Sequence, residues 1–385
     1  MICRDLGSLR ALLAACFAAA VAVLATVTAM PGAASAACPI PAPGVAVCGA
    51  APDLARDLSR RRIDRTLATD PASERLGRLN RNVAPDTGSA LVSMTPGGSA
   101  TNFNTSLSQW GSALSVADAE ALERAKLSLD PDVPLPKPIK SRPNLFDLWA
   151  KGRVESFNED GTKRLGAATT YVGADYRASR DFLFGGMVQL EDSRQSIVAA
   201  PEAADGKAFM AGPYMAYRLT PNVTLDAKAG WGGADDSAVA QTGNARFATD
   251  RMQSEAKLSG NWGYKQWQFS QSGAVTYLGE QTDAIGNSVA VTRLSVGPEL
   301  KRQFDTKGGA SVEPFAFFKS SLDLGDAAFA APVARNTLGA GVSLIKPENF
   351  DIRATADYTE SANHADAPST TGKVQVSVPS SILGF

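Results

Sequence analysis

From Phe146 to Phe385 the chain repeats one unit, about ten residues of alternating apolar and polar side chains closed by a Gly, Asn, Asp or Pro turn. Turn signals place strands near 146–157, 165–178, 181–194, 207–219, 222–232, 245–261, 266–281, 288–304, 309–320, 336–346, 349–362 and 371–385. That makes about twelve, an even number, as single-chain bacterial membrane barrels require. In the fifth segment Val223, Leu225, Ala227, Ala229 and Trp231 share one face, and Thr224, Asp226, Lys228 and Gly230 share the other. In the eleventh, Phe350, Ile352, Ala354, Ala356 and Tyr358 oppose Asp351, Arg353, Thr355, Asp357 and Thr359. A continuous apolar exterior over a charged interior fits lipid outside and a wet or plugged lumen inside. A soluble β-sandwich alternates too, but it needs no charges on its buried face and no aromatics such as Tyr217 and Trp231 near strand ends, where a membrane interface favours them. The expected fold class is an all-β transmembrane barrel of about twelve antiparallel strands over residues 146–385, preceded by a short, mostly helical or irregular N-terminal region.

The start of the chain fixes the expected compartment. Arg4 and Arg10 flank a short n-region, Ala11 to Ala29 is almost wholly apolar, and Ala34-Ser35-Ala36 supplies small residues before Ala37, so residues 1–36 are expected to be a signal peptide. Pro31-Gly32 beside the cleavage pattern weighs against a membrane anchor. Leu13-Ala14-Ala15-Cys16 cuts the apolar core too early for a lipoprotein box, and Ser35-Ala36-Ala37-Cys38 has a serine where a large aliphatic residue belongs. Cleavage leaves Cys38 and Cys48 as the remaining thiols, and two near cysteines in an oxidising compartment are expected to join around the Pro-rich loop between them.

Residues 37–145 show no solenoid period. After the cysteine loop comes an Arg-rich helical stretch from about Pro52 to Asn80, then a Gly/Ser/Thr/Asn segment from about Asp86 to Gly111. A second helix follows, opened by Ser115-Val116-Ala117-Asp118 as a capping box and continued through Ala121, Leu122 and Ala125. Pro131, Pro134, Pro136 and Pro138 then impose a stiff, extended path into the first strand. Arg60, Arg61, Arg62 and Arg65 could bind phosphate bidentately, but Asp53, Asp57, Asp64 and Glu74 lie among them, and a salt-bridged solvated helix face is the ordinary expectation.

Composition excludes several classes. With 38 basic and 39 acidic residues the net charge is -1, which gives no general affinity for nucleic acid. Mean hydropathy is -0.10, and beyond the leader no apolar run reaches the roughly eighteen residues of a membrane helix. The single histidine, His364, falls in an Ala/Asn/Asp/Pro loop; Ser361 and Asp366 are near it, yet such a loop gives poor preorganisation for a hydrolase. There is no multi-His or Cys-x-x-Cys site, no G-x-S-x-G elbow and no phosphate-binding glycine loop, so no cofactor is expected. Gly233-Ala234-Asp235-Asp236 could hold calcium weakly as a loop, but turn chemistry accounts for it without a metal.

Tyr171-Val172-Gly173-Ala174-Asp175-Tyr176-Arg177, followed by Phe182-Leu183-Phe184-Gly185-Gly186, resembles the second and third strands of autotransporter β-domains. There a G-x-D-Y segment leads into an apolar strand with paired glycines. Gly212 to Leu219 followed by Asn222-Val223-Thr224-Leu225-Asp226 resembles the next hairpin of that family, and the resemblance extends to the terminal Phe385. It implies a Gram-negative outer-membrane barrel, monomeric and embedded in lipid, that exports or displays its own N-terminal segment. It also implies insertion by the barrel assembly machinery with Phe385 as the signal, and a pore helix just before the barrel, for which residues 115–129 are the candidate. A helix of about thirteen residues is about 20 Å long, nearly enough for that role; a short helix on the barrel rim is the alternative. Two departures stand out: Phe385 lies on the opposite parity to Val374, Val376 and Val378 unless a bulge intervenes, and the passenger-like region is short. The alternative functions are a small channel or structural barrel with a periplasmic N-terminal region and, last, a hydrolase built on His364.

Overall fold

The computed structural model describes residues 51–68, 92–94 and 100–106, and residues 145–377 apart from short connecting stretches. One helix, α1 (Ala51–Ala68), precedes a hairpin of β1 (Val92–Met94) and β2 (Ala100–Ser106). The long strands are β3 (Phe146–Glu159), β4 (Lys163–Arg177), β5 (Phe182–Ile197), β6 (Ala203–Thr220), β7 (Val223–Ala240), β8 (Gly243–Tyr264), β9 (Trp267–Thr282) and β10 (Asn287–Arg302). A two-residue β11 (Phe304–Asp305) leads into β12 (Ser311–Gly325), β13 (Val333–Lys346), β14 (Phe350–Ser361) and β15 (Ser369–Ser377).

The twelve long strands, β3 to β10 and β12 to β15, form one antiparallel up-and-down sheet, each paired to its chain neighbour. The hairpin adds to its free edge: β2 pairs β3 from Ala100↔Glu155 to Ser106↔Trp149, and β1 lies beside β15. The two ends of the sheet therefore meet across the hairpin, inside the segment expected to be irregular. The driving force is the unpaired backbone of β3, since every exposed N–H and C=O at a sheet edge in lipid costs several kcal/mol.

Exposure follows the alternation. On β7 Trp231 is 52% exposed, whereas Lys228 is buried and its Nζ lies 3.0 Å from Glu255 Oε2 of β8. An outward aromatic band, Phe146, Tyr176, Tyr217, Trp262, Tyr264 and Trp267, marks the end where the short turns lie, as an aromatic girdle at a membrane interface does. β3 begins at this end and the described part of β15 finishes there. Strand β7 runs eight residues past the expected stop at 232, so Gly233 to Asp236 is ladder rather than loop. Its backbone pairs on both sides, with β6 through Gly206↔Asp236 and with β8 through Asp236↔Phe247, and this pairing outcompetes local turn chemistry.

Candidate functional site: a helix bound to the inner wall

Arg65 lies in the last turn of helix α1, as the helix dipole favours. Asp57 and Arg61 pair at i,i+4 with 3.2 Å between Oδ2 and Nε. Leu58, Ser59, Arg62, Ile63 and Thr66 are buried, a stripe at helical spacing. What distinguishes the stripe is Arg62 at its centre, with a side chain 0% exposed.

The wall supplies the partners. Arg62 Nη2 donates to Asp236 Oδ1 on β7, and Nη1 lies 3.5 Å from Glu280 Oε2 on β9. Arg251 on β8 ties the acids together, its Nε 2.8 Å from Glu280 and its Nη2 3.7 Å from Glu191 on β5. Glu191 in turn accepts from Arg65 Nη2 at 2.8 Å. Three arginines thus face three carboxylates. Thr249 Oγ1 donates to Asp236 Oδ2 at 3.2 Å, holding that carboxylate square to the helix. An arginine stays protonated at any pH a protein meets, so the helix carries fixed charge into the barrel.

Gly206 of β6 faces Asp236 across the ladder, and a Cβ there would run into the Asp236 carboxylate and stand 2.7 Å from Arg62 Nη2. The bare backbone of Gly206 makes the seat for the ion pair. On the neighbouring strands Arg293 of β10 grips Asp323 of β12 through Nε at 2.6 Å and Nη2 at 2.8 Å, and the same Nη2 reaches Asp64 of α1 at 3.4 Å. Burial pushes the Asp64 carboxyl above its ordinary range, against the pull of Arg293.

Two contacts along β5 give the direction of the helix. Gln195 Nε2 donates to Asp57 Oδ2 at 2.9 Å, and Gln189 Nε2 donates to Thr66 Oγ1 at 3.3 Å. Six strand residues cover about 20 Å, or about 14 Å along the axis of a barrel whose strands tilt near 45°. The nine helix residues rise about 13.5 Å. Helix α1 therefore runs nearly along the barrel axis, with its N-terminal end toward the side opposite residues 146 and 377. The solvated face expected for the Arg cluster is corrected at Arg62 and Arg65: luminal carboxylates replace water. Arg60 does remain exposed.

The inward face of β3 to β6 carries a second cluster. Trp149 Nε1 lies 2.7 Å from Tyr214 Oη and 3.1 Å from Asp175 Oδ1, with the Trp149 and Tyr214 rings edge-on at 6.1 Å. Tyr171, Leu183 and Met187 complete it. The G-x-D-Y segment thereby acquires physical roles. Gly173 leaves room for the Trp149 indole opposite it, Asp175 accepts its N–H, and Tyr176 turns outward. Gly185 does the same for the Tyr214 ring.

Cys38, Cys48, Ser115, Asp118, Ala121, Leu122, Ala125, His364 and Phe385 lie outside the described residues. Among the described residues no group of His, Cys, Asp or Glu is arranged to hold a metal. The luminal partners of Arg62 leave one signal in the sequence: Asp236 and Glu280, like the Arg251 that pairs with Glu280, have the inward parity of their strands.

A search of curated proteins finds no match to the chain. Among solved structures, it is similar to the β-domain of the Bordetella autotransporter BrkA, at 15% identity over 60% of this chain and 98% of that one, with a TM-score of 0.45. It is also similar to the translocator domain of the autotransporter NalP from Neisseria meningitidis (16% identity, 70% and 98% coverage, TM-score 0.39) and to the CymD monoaromatic hydrocarbon channel (11%, 61% and 78%, TM-score 0.39). Residues 148–316, reaching from β3 into β12, match the family model of the autotransporter β-domain, so this part of the barrel is similar to that family.

Proposed function

We propose that the barrel anchors the chain in the outer membrane and exports or displays its own N-terminal segment, with α1 as the part of that segment lodged in the lumen. The observation that carries the reading is the direction of α1. Asp57 lies beside Gln195, at the end of β5 remote from the turns, whereas Thr66 lies beside Gln189, deeper in the wall. Short turns characterise the periplasmic end of such barrels, so residues upstream of Ala51 are directed to the outer surface. The role is mechanical: lipid-facing strands bury apolar side chains, the ladder satisfies the backbone, and the charged lumen holds a charged helix. No catalysis is assigned, and insertion by the outer-membrane assembly machinery is part of the reading.

A protease added to intact cells tests it. It should trim the chain upstream of Ala51 and leave α1 and the barrel protected. A chain untouched until the outer membrane is permeabilised supports instead a channel or structural barrel with a periplasmic N-terminal region.

A further inference from the structure

The outer face of the barrel is hollowed across β7 to β12. The concavity measures about 650 Å³ and is walled by Leu225, Leu258, Trp262, Gly273, Leu294 and Val296, all of outward parity. A Cβ on Gly273 would meet nothing closer than the Ser295 carbonyl at 3.9 Å, so the floor is open. Trp262, stacked on Phe269 with 5.8 Å between ring centroids, closes it toward the short turns.

Below that closure two cations stand on the rim. Arg302 shares the outward parity of Leu294 and Val296, with its guanidinium over Trp267 at 5.2 Å and Phe304 at 4.6 Å. Its Nη2 donates to Gln266 at 3.3 Å, while its Nε is buried without a hydrogen-bond partner among the described residues, so a ligand would meet the terminal nitrogens of the guanidinium. Lys265 occupies the tip of the β8–β9 turn, over the Tyr264 ring. From Lys265 to Leu258 is seven residues, about 23 Å along the strand and about 16 Å along the membrane normal at a tilt near 45°. That is about half of a 30 Å hydrocarbon core, the depth of one leaflet.

We propose that this hollow is a binding site for one anionic phospholipid of the leaflet on the side of the short turns. An acyl chain fills the hollow and the phosphate pairs with the terminal guanidinium nitrogens of Arg302, with Lys265 beside it. The charge separation is what selects the occupant: an apolar trough one leaflet deep ending on a guanidinium suits a phosphodiester lipid better than a neutral one. The inference rests on the membrane barrel alone and is independent of any export of the N-terminal segment.

The test extracts the full-length protein from native membranes, washes it in mild detergent, and counts retained phospholipid per chain by mass spectrometry. Wild type should keep one anionic phospholipid. Gly273→Phe, which fills the hollow, and Arg302→Gln, which removes the phosphate donor charge, should each lower retention about tenfold, the size expected for loss of a charged hydrogen-bonded contact. Leu338→Phe, outward but away from the hollow, should leave it unchanged. Equal retention in wild type and Arg302→Gln, or equal loss in the Leu338→Phe control, overturns the proposal. Should Gly273→Phe not assemble, Arg302→Gln decides alone, because its rim position leaves the ladder intact.

Discussion

Arg62 and Asp236 stand 174 positions apart in the sequence and meet side chain to side chain, both fully screened from water. Such a pair gives little net stability against an apolar replacement, but removing one partner strands the other and costs about 3–5 kcal/mol. Its value is positional: it fixes the height and rotation of α1 against β7 and β9. Arg62→Ala should therefore shift the balance from docked toward undocked helix by about two to three orders of magnitude. Single-channel recording in planar bilayers should show more frequent or larger openings than wild type. Unchanged conductance would mean that α1 does not obstruct the lumen.

The seat can be tested without touching a charge. Gly206→Val places a branched side chain where the Asp236 carboxylate lies, and overpacking of this kind costs about 1–3 kcal/mol. It should reproduce part of the Arg62→Ala conductance while leaving the heat-shifted gel mobility of the folded barrel intact. The same substitution at Gly166, where a Cβ meets nothing within 4 Å, should have no such effect.

The Trp149 cluster is expected to hold the wall rather than the helix. Trp149→Phe removes the N–H that reaches Asp175 and Tyr214, and loss of a hydrogen bond to a charged group costs about 1.5–3 kcal/mol. The unfolding midpoint in a gel-shift titration should fall. Conductance should stay at the wild-type level.

Face assignment follows from charge. An Arg at Leu225 or Ala227, which point outward on β7, should be destabilising, up to the roughly 2–4 kcal/mol such a charge costs at the bilayer midplane. The same change at Asp226, on the luminal face, should cost less. Equal penalties would mean that the face assignment of this strand is wrong.

How far the sequence discloses this molecule differs between wall and lumen. The wall was legible because a period of two is a local signal: Val223, Leu225 and Trp231 announce their face without reference to any other strand. Strand ends were less so. Gly233 to Asp236 looks like a turn in isolation and becomes strand only because β6 and β8 pair with it. The hairpin at Val92–Ser106 is likewise set by the free edge of β3, which no local pattern shows. A helix was expected from about Pro52 to Asn80, of which the described part is Ala51–Ala68, but not its place: Arg62 reads as solvent-facing until Asp236, Glu280 and Glu191 are brought round it from three strands. Long-range ion pairs leave no periodic trace.

The most direct test of the central claim compares two epitopes on intact cells. One is inserted after Ala50, just upstream of α1, and the other after Lys265, in the short β8–β9 turn. Antibody should bind the Ala50 epitope before the outer membrane is permeabilised and the Lys265 epitope only afterward. An Ala50 epitope protected on intact cells while the Lys265 epitope is exposed, or both protected alike, would contradict passage of the N-terminal segment through the lumen.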